Sequence, residues 1–221
     1  MNRLSAAGLL IASTGLMTAC RGTIPRSSGE PNQGTSALVI GSRVILPSGD
    51  TYSGLMVLNL EGESGGRLAE IYRLPVTPKR PTIFQVEPGT YRLAPSRSLF
   101  GFHQPLLKVD IEGAPYRVPF PRDILRRPPI EVRAGRAAVI GLLEARVSPA
   151  RPGEDATVKV RLDDAISTRR RLVEDIIKDM MDPAKSLSER EHSISWSRAL
   201  HTALLEISAE TERLPLYKSS P

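Results

Sequence analysis

Residues 82–93 read Thr82-Ile83-Phe84-Gln85-Val86-Glu87-Pro88-Gly89-Thr90-Tyr91-Arg92-Leu93, two short alternating runs separated by glutamate, proline and glycine. An alternation of period two places successive side chains on opposite faces of a strand. Pro88 presets its φ, and Gly89 can supply the positive φ of a type II turn, so the stretch is expected to be strand, turn and strand. The same period runs outward in both directions. Leu38, Ile40, Val44 and Leu46 share one face of a first strand ended by Pro47-Ser48-Gly49-Asp50. Met56, Leu58 and Leu60 share a face of the next, which stops at Glu61-Gly62, while Arg67 to Leu74 alternates less cleanly.

Downstream, Leu107, Val109 and Ile111 alternate with Lys108 and Asp110, and Tyr116, Val118 and Phe120 alternate with Arg117 and Pro119. Pro119 and Pro121 put that strand on an edge, because proline cannot donate to a central ladder. Ile130 and Val132 lead through Ala134-Gly135 into Arg136 to Val147, which is apolar on both faces at first and is expected to be central. Val158, Val160 and Leu162 close the series. About nine or ten short strands at this spacing, with no helical pattern long enough for parallel crossovers, give a mainly β fold: an antiparallel β-sandwich.

Near Ser167 the period changes. Leu172, Val173, Ile176, Ile177, Met180 and Met181 form an apolar stripe at helical spacing, stopped by Asp182-Pro183. A second helix is expected to begin near Ser186 or Ser188, where Glu189 and Glu191 stand at capping-box spacing, and its stripe is Trp196, Leu200, Ala203, Leu204 and Ile207. Two amphipathic C-terminal helices therefore follow the sandwich. The expected divisions are a signal at residues 1–19, a cysteine and tether at 20–36, the β-domain at 37–165, a helical element at 166–214 and a tail at 215–221.

The first twenty residues carry a short basic start, Asn2-Arg3, an apolar run from Leu4 to Leu16, and Leu16-Met17-Thr18-Ala19-Cys20. The run is too short to span a bilayer and has the flanks of a processed targeting segment. Residues 16–20 resemble the lipobox of bacterial lipoproteins, with Met17 where leucine is usual. The resemblance implies lipidation of Cys20, cleavage before it, and anchoring to a lipid bilayer through the acylated N-terminus. A plain secretory signal cut after Ala19, and an unprocessed apolar N-terminus, are the competing readings. Arg21 rather than aspartate follows the cysteine, which, by resemblance to Gram-negative sorting, directs the protein to the outer membrane, facing the periplasm. Arg21 to Ser36 is rich in glycine, proline and small polar residues and is expected to be a flexible tether with a reach of roughly 20 to 24 Å.

A second resemblance is to the prealbumin-like β-sandwich modules of small envelope lipoproteins. It rests on Val86-Glu87-Pro88-Gly89-Thr90-Tyr91 and on Val132-Arg133-Ala134-Gly135-Arg136-Ala137 running into Val139-Ile140-Gly141.

Cys20 is the only cysteine, so intramolecular disulfides, thiolate metal sites and a cysteine nucleophile are excluded from the domain. The formal charge of +6 and the Arg126-Arg127 and Arg169-Arg170-Arg171 clusters read as a basic solvated surface. No aromatics are interleaved with them, so nucleic acid is not an expected partner.

Gly62-Glu63-Ser64-Gly65-Gly66 matches the G-x-S-x-G pattern, but an elbow needs a helix after it and a strand is expected there, so the stretch reads as a hairpin loop. His103, His192 and His201 have no metal-ligand spacing. Asp163-Asp164 and the carboxylates of Glu206 to Glu212 read as surface groups. No cofactor and no metal is expected.

Two sets of candidate binding residues remain. Phe100, Phe102 and His103 cluster in a loop suited to a cell-wall polymer or other ligand. Met180, Met181, Trp196 and Leu200 would suit a protein partner if exposed, and otherwise cover an open side of the sandwich. The expected function is a non-catalytic envelope lipoprotein that binds or assembles with other envelope components. The alternatives are a cell-wall glycan or ligand-binding module and a hydrolase using paired carboxylates.

Overall fold

The computed structural model describes residues 35–51, 54–64, 67–78, 81–95, 106–149, 156–187, 194 and 196–213. Eleven strands and three helices lie among them. The first sheet is built on β1 (Ser36–Leu46), which pairs in parallel with β10 (Ala137–Ser148) along nearly its whole length. The other edge of β1 takes β5 (Thr82–Val86) along its first half and β2 (Gly49–Thr51) at its end, both antiparallel. β11 (Thr157–Asp163) closes the far side on β10.

The second sheet is built on β3 (Leu55–Ser64). One edge pairs with β4 (Arg67–Val76), the other with β7 (Leu106–Ile111) and then β6 (Gly89–Ala94). β8 (Ala114–Pro119) lies outside β7 and β9 (Ile130–Val132) outside β6. The edge position of β8 is the one its prolines require.

The main core lies between the sheets. Leu38, Ile40 and Val44 of β1 meet Met56, Leu58 and Leu60 of β3, with Phe84, Leu107, Val109 and Leu143 around them. A second apolar cluster lies on the opposite face of the first sheet, where Ala37, Val39 and Ala137 are covered by Val173 and Ile176 of α2 (Ile166–Met180) and by Leu200, Ala203 and Ile207 of α3 (Ser197–Arg213). The fold is thus helices, sheet, sheet, and the start of β1 is buried on both faces.

Gly41 permits the helices to approach: a β-carbon there would stand 2.6 Å from Leu172 Cδ2. β10 changes face at a bulge after Val139, where Gly141 takes φ +136°. Ala138 and the bulged Ile140 face the main core, and beyond the bulge Leu143, Ala145 and Val147 do. That shift explains why the sequence is apolar on both faces there.

Three expectations are corrected. The sheets are not wholly antiparallel, because β1 and β10, the central pair of the first sheet, run parallel. The 82–93 stretch is two strands in different sheets, so Glu87-Pro88 is a corner and not a hairpin turn, and Gly89 is not at positive φ. Its conformation is set instead by two tyrosines: Tyr91 Oη donates to the Glu87 carbonyl at 2.7 Å, and the Glu87 amide donates to Tyr72 Oη at 3.3 Å. The Ala134-Gly135 link, expected where it stands, also passes between sheets, joining β9 of one to β10 of the other, with Gly135 at φ +65°. Finally, β3 does not stop at Glu61-Gly62 but runs through a bulge to Ser64, which pairs with Arg67. The G-x-S-x-G stretch is therefore the end of one strand and the start of a hairpin, with no helix after it.

Candidate functional site

A cleft of about 760 Å³ opens between the sheets beside β6. Its position follows from the ladders. β9 pairs with β6 only from Gly89 to Tyr91, so from Arg92 to Ala94 that edge of β6 is left to the cleft. The chain between β8 and β9 crosses this opening as Phe120-Pro121, the short α1 (Arg122–Leu125) and Pro128-Pro129. Proline at these positions makes the crossing stiff and removes backbone donors from the wall. Leu93, Ile124, Ile140 and Leu162 supply apolar surface from both sheets, and Leu125, 49% exposed, stands at the mouth.

Four arginines and two carboxylates also line the cleft. Arg127 is tied to Asp164 by an ion pair and donates to the Leu162 carbonyl at 2.7 Å. Arg169 pairs with Glu210 of α3 and donates to the Asp164 carbonyl at 3.1 Å. The Arg126-Arg127 and Arg169-Arg170-Arg171 clusters are therefore not wholly solvated surface: one arginine of each braces the cleft. Asp163-Asp164 is corrected in the same way. Asp163 Oδ1 accepts from the Ala165 amide at 3.1 Å and Oδ2 from Thr168 Oγ1 at 2.8 Å, holding the start of α2. Among the described residues, Arg92 and Arg122, both exposed on the cleft, have no ion-pair partner.

A second cleft, about 520 Å³, lies between the start of β10 and α3. Its cations are matched: Arg133 with Glu131 at 2.9 Å, Arg136 with Glu206 at 3.6 Å, and Arg169 with Glu210. Hydrogen bonding to Arg133 lowers the Glu131 carboxyl below its usual range.

On the outer face of the first sheet, beyond the helices, Glu144 stands in register between Arg43 of β1 and Arg161 of β11. The Glu144 side chain is only 3% exposed and accepts from Arg43 at 2.7 Å, Arg161 at 3.0 Å and Arg146 at 3.4 Å. Burial pushes its carboxyl up, but the hydrogen bonds from Arg43, Arg161 and Arg146 outweigh burial and lower it to about 2. Sequence reasoning missed this group. The signal was a glutamate, two residues before Arg146, inside the otherwise apolar run Ile140 to Val147.

Of the residues singled out from sequence, Cys20, Phe100, Phe102, His103 and His192 lie outside the described residues. Trp196 and Leu200 are fully buried and Met180 is 4% exposed; only Met181, at 68%, faces solvent. The four do not form a docking surface, because the stripe is turned onto the first sheet. His201 lies on the outside of α3, its Nδ1 2.8 Å from the Ser197 carbonyl. Among the described residues no group of three or more histidine, cysteine, aspartate or glutamate side chains is placed to hold a metal ion. No described helix is long and apolar enough to cross a membrane. Comparison with protein-family models and with curated proteins returned no match.

Proposed function

We propose that this chain is an envelope lipoprotein, acylated at Cys20 and held to the bilayer by its N-terminus, whose β-sandwich is a non-catalytic module for binding or assembly with other envelope components. The observation that carries the reading is Leu16-Met17-Thr18-Ala19-Cys20, a lipobox-like end to an apolar segment at the only cysteine in the chain. Arg21 directs it, in a Gram-negative cell, to the outer membrane facing the periplasm.

Two of the described carboxylates are engaged by arginines within the chain. Glu144, held ionised at about 2, exchanges no proton near neutral pH, and Asp164 is occupied by Arg127. The cleft beside β6 supplies what a binding module needs: a concave apolar wall with a few placed charges, within the roughly 300–1,000 Å³ range of ligand sites. The glycan-binding alternative rests on Phe100, Phe102 and His103.

The test is in-cell cross-linking followed by purification of the anchored protein, beside Cys20→Ala. The reading expects one defined envelope component with the native chain and its loss when the anchor is removed. Recovery of the same component from both would contradict a role set by anchoring. Retention on purified cell wall, lost in Phe100→Ala/Phe102→Ala, would favour the glycan reading instead.

A further inference from the structure

We propose that the cleft beside β6 binds an anionic amphiphile, a single apolar chain ending in a carboxylate or phosphate. The inference extends the binding-module reading and concerns the cleft alone, whether or not Cys20 is acylated. Three observations carry it. The inner wall is mostly apolar and comes from both sheets, through Leu93, Ile140 and Leu162, with the buried Glu61 as its one carboxylate on β3 and Leu125 exposed at the mouth. Of the four arginines, Arg127 and Arg169 already have carboxylate partners, whereas Arg92 and Arg122 have none among the described residues. These two come from β6 and from α1, which pack against each other, and both side chains are exposed and line the cleft.

The contrast with the second cleft is informative. There, Arg133 and Arg136 are each matched by a glutamate, so its polar groups are satisfied within the chain. In the cleft beside β6 the cations left over are Arg92 and Arg122, both exposed. Guanidinium is the group best shaped for bidentate recognition of carboxylate or phosphate, and such charge-assisted bonds gain strength at the edge of an apolar site. A cationic amphiphile would meet repulsion from both arginines, and an uncharged one would leave them unused.

Full-length protein in a non-ionic detergent is photolabelled with four diazirine probes sharing one long alkyl chain. Their heads are carboxylate, phosphate, hydroxyl and trimethylammonium. The proposal expects the two anionic probes to attach to peptides covering residues 119–130 and 139–140, at roughly ten times the level of the other two. The stronger of the two anionic arms identifies the head group. Arg92→Ala/Arg122→Ala should reduce anionic labelling to the level of the hydroxyl probe. Arg92→Glu/Arg122→Glu should transfer the preference to the trimethylammonium probe, a reversal that loss of structure does not produce. Equal labelling by all four heads, attachment elsewhere on the chain, or an anionic preference that survives the charge reversal would overturn the proposal.

Discussion

Glu144 is the residue on which the outer face of the first sheet depends. Three arginines from three strands converge on one carboxylate that is almost fully covered, so removing its charge leaves three cations facing one another. Glu144→Gln is expected to cost about 3 kcal/mol in a denaturant titration. The wild-type pH dependence has a definite sign. The folded value of about 2 lies below the 4.5 of an ordinary glutamate carboxyl. The stabilisation is therefore fully present above pH 4.5 and is lost as pH falls through about 2, so the wild type should lose stability across that window more steeply than Glu144→Gln. Gly141 is the second critical residue. Its φ of +136° is one L side chains rarely adopt, and a β-carbon there would run into the Asp163 carbonyl oxygen. Gly141→Ala should lower the unfolding free energy by roughly 2–3 kcal/mol or more.

At the level of elements, the helices are the outer layer of the first sheet. Trp196 and Leu200 sit in the cluster that covers Ala37, Val39 and Ala137, while Met181 lies beyond the end of α2. Trp196→Ala should therefore cost roughly 3–5 kcal/mol in thermal or denaturant unfolding, and Met181→Ala less than about 0.5. Both helical stripes were legible from their spacing, because burial on one side repeats at 3.6 residues whatever lies opposite. The destination of the stripe was not legible. A methionine-rich face reads the same whether it packs on a sheet or a partner, and only the second apolar face of β1 and β10 decides it. That face was partly visible in Ala137 to Leu143, whose apolarity on both faces marked a central strand.

For the whole molecule, the mainly β sandwich with two C-terminal helices was readable from the change of period at Ser167, and the edge position of β8 from its prolines, but the expectation of purely antiparallel sheets was not met, because β1 and β10 run parallel. What local pattern does not carry is which sheet each strand joins. Glu87-Pro88-Gly89 and Ala134-Gly135 look like hairpin turns, yet both carry the chain from one sheet to the other. The parallel pairing of β1 with β10 joins residues about a hundred apart, and the row Arg43, Glu144, Arg161 exists only in that register. The cleft is invisible for the same reason: Arg92, the Arg122–Arg127 connection and Asp164 lie on three separate segments that the fold brings to one opening. A carboxylate that reads as a surface group in sequence becomes a brace once its arginine arrives from elsewhere.

Lipid anchoring is the claim from which location and role follow, and it is carried by Cys20. The mass of the N-terminal peptide from protein purified out of membranes tests it most directly. The account predicts a peptide beginning at Cys20 and bearing diacylglycerol, with neither the modification nor membrane retention surviving in Cys20→Ala. A peptide beginning at Cys20 with a free thiol, or one beginning at Met1, would contradict it.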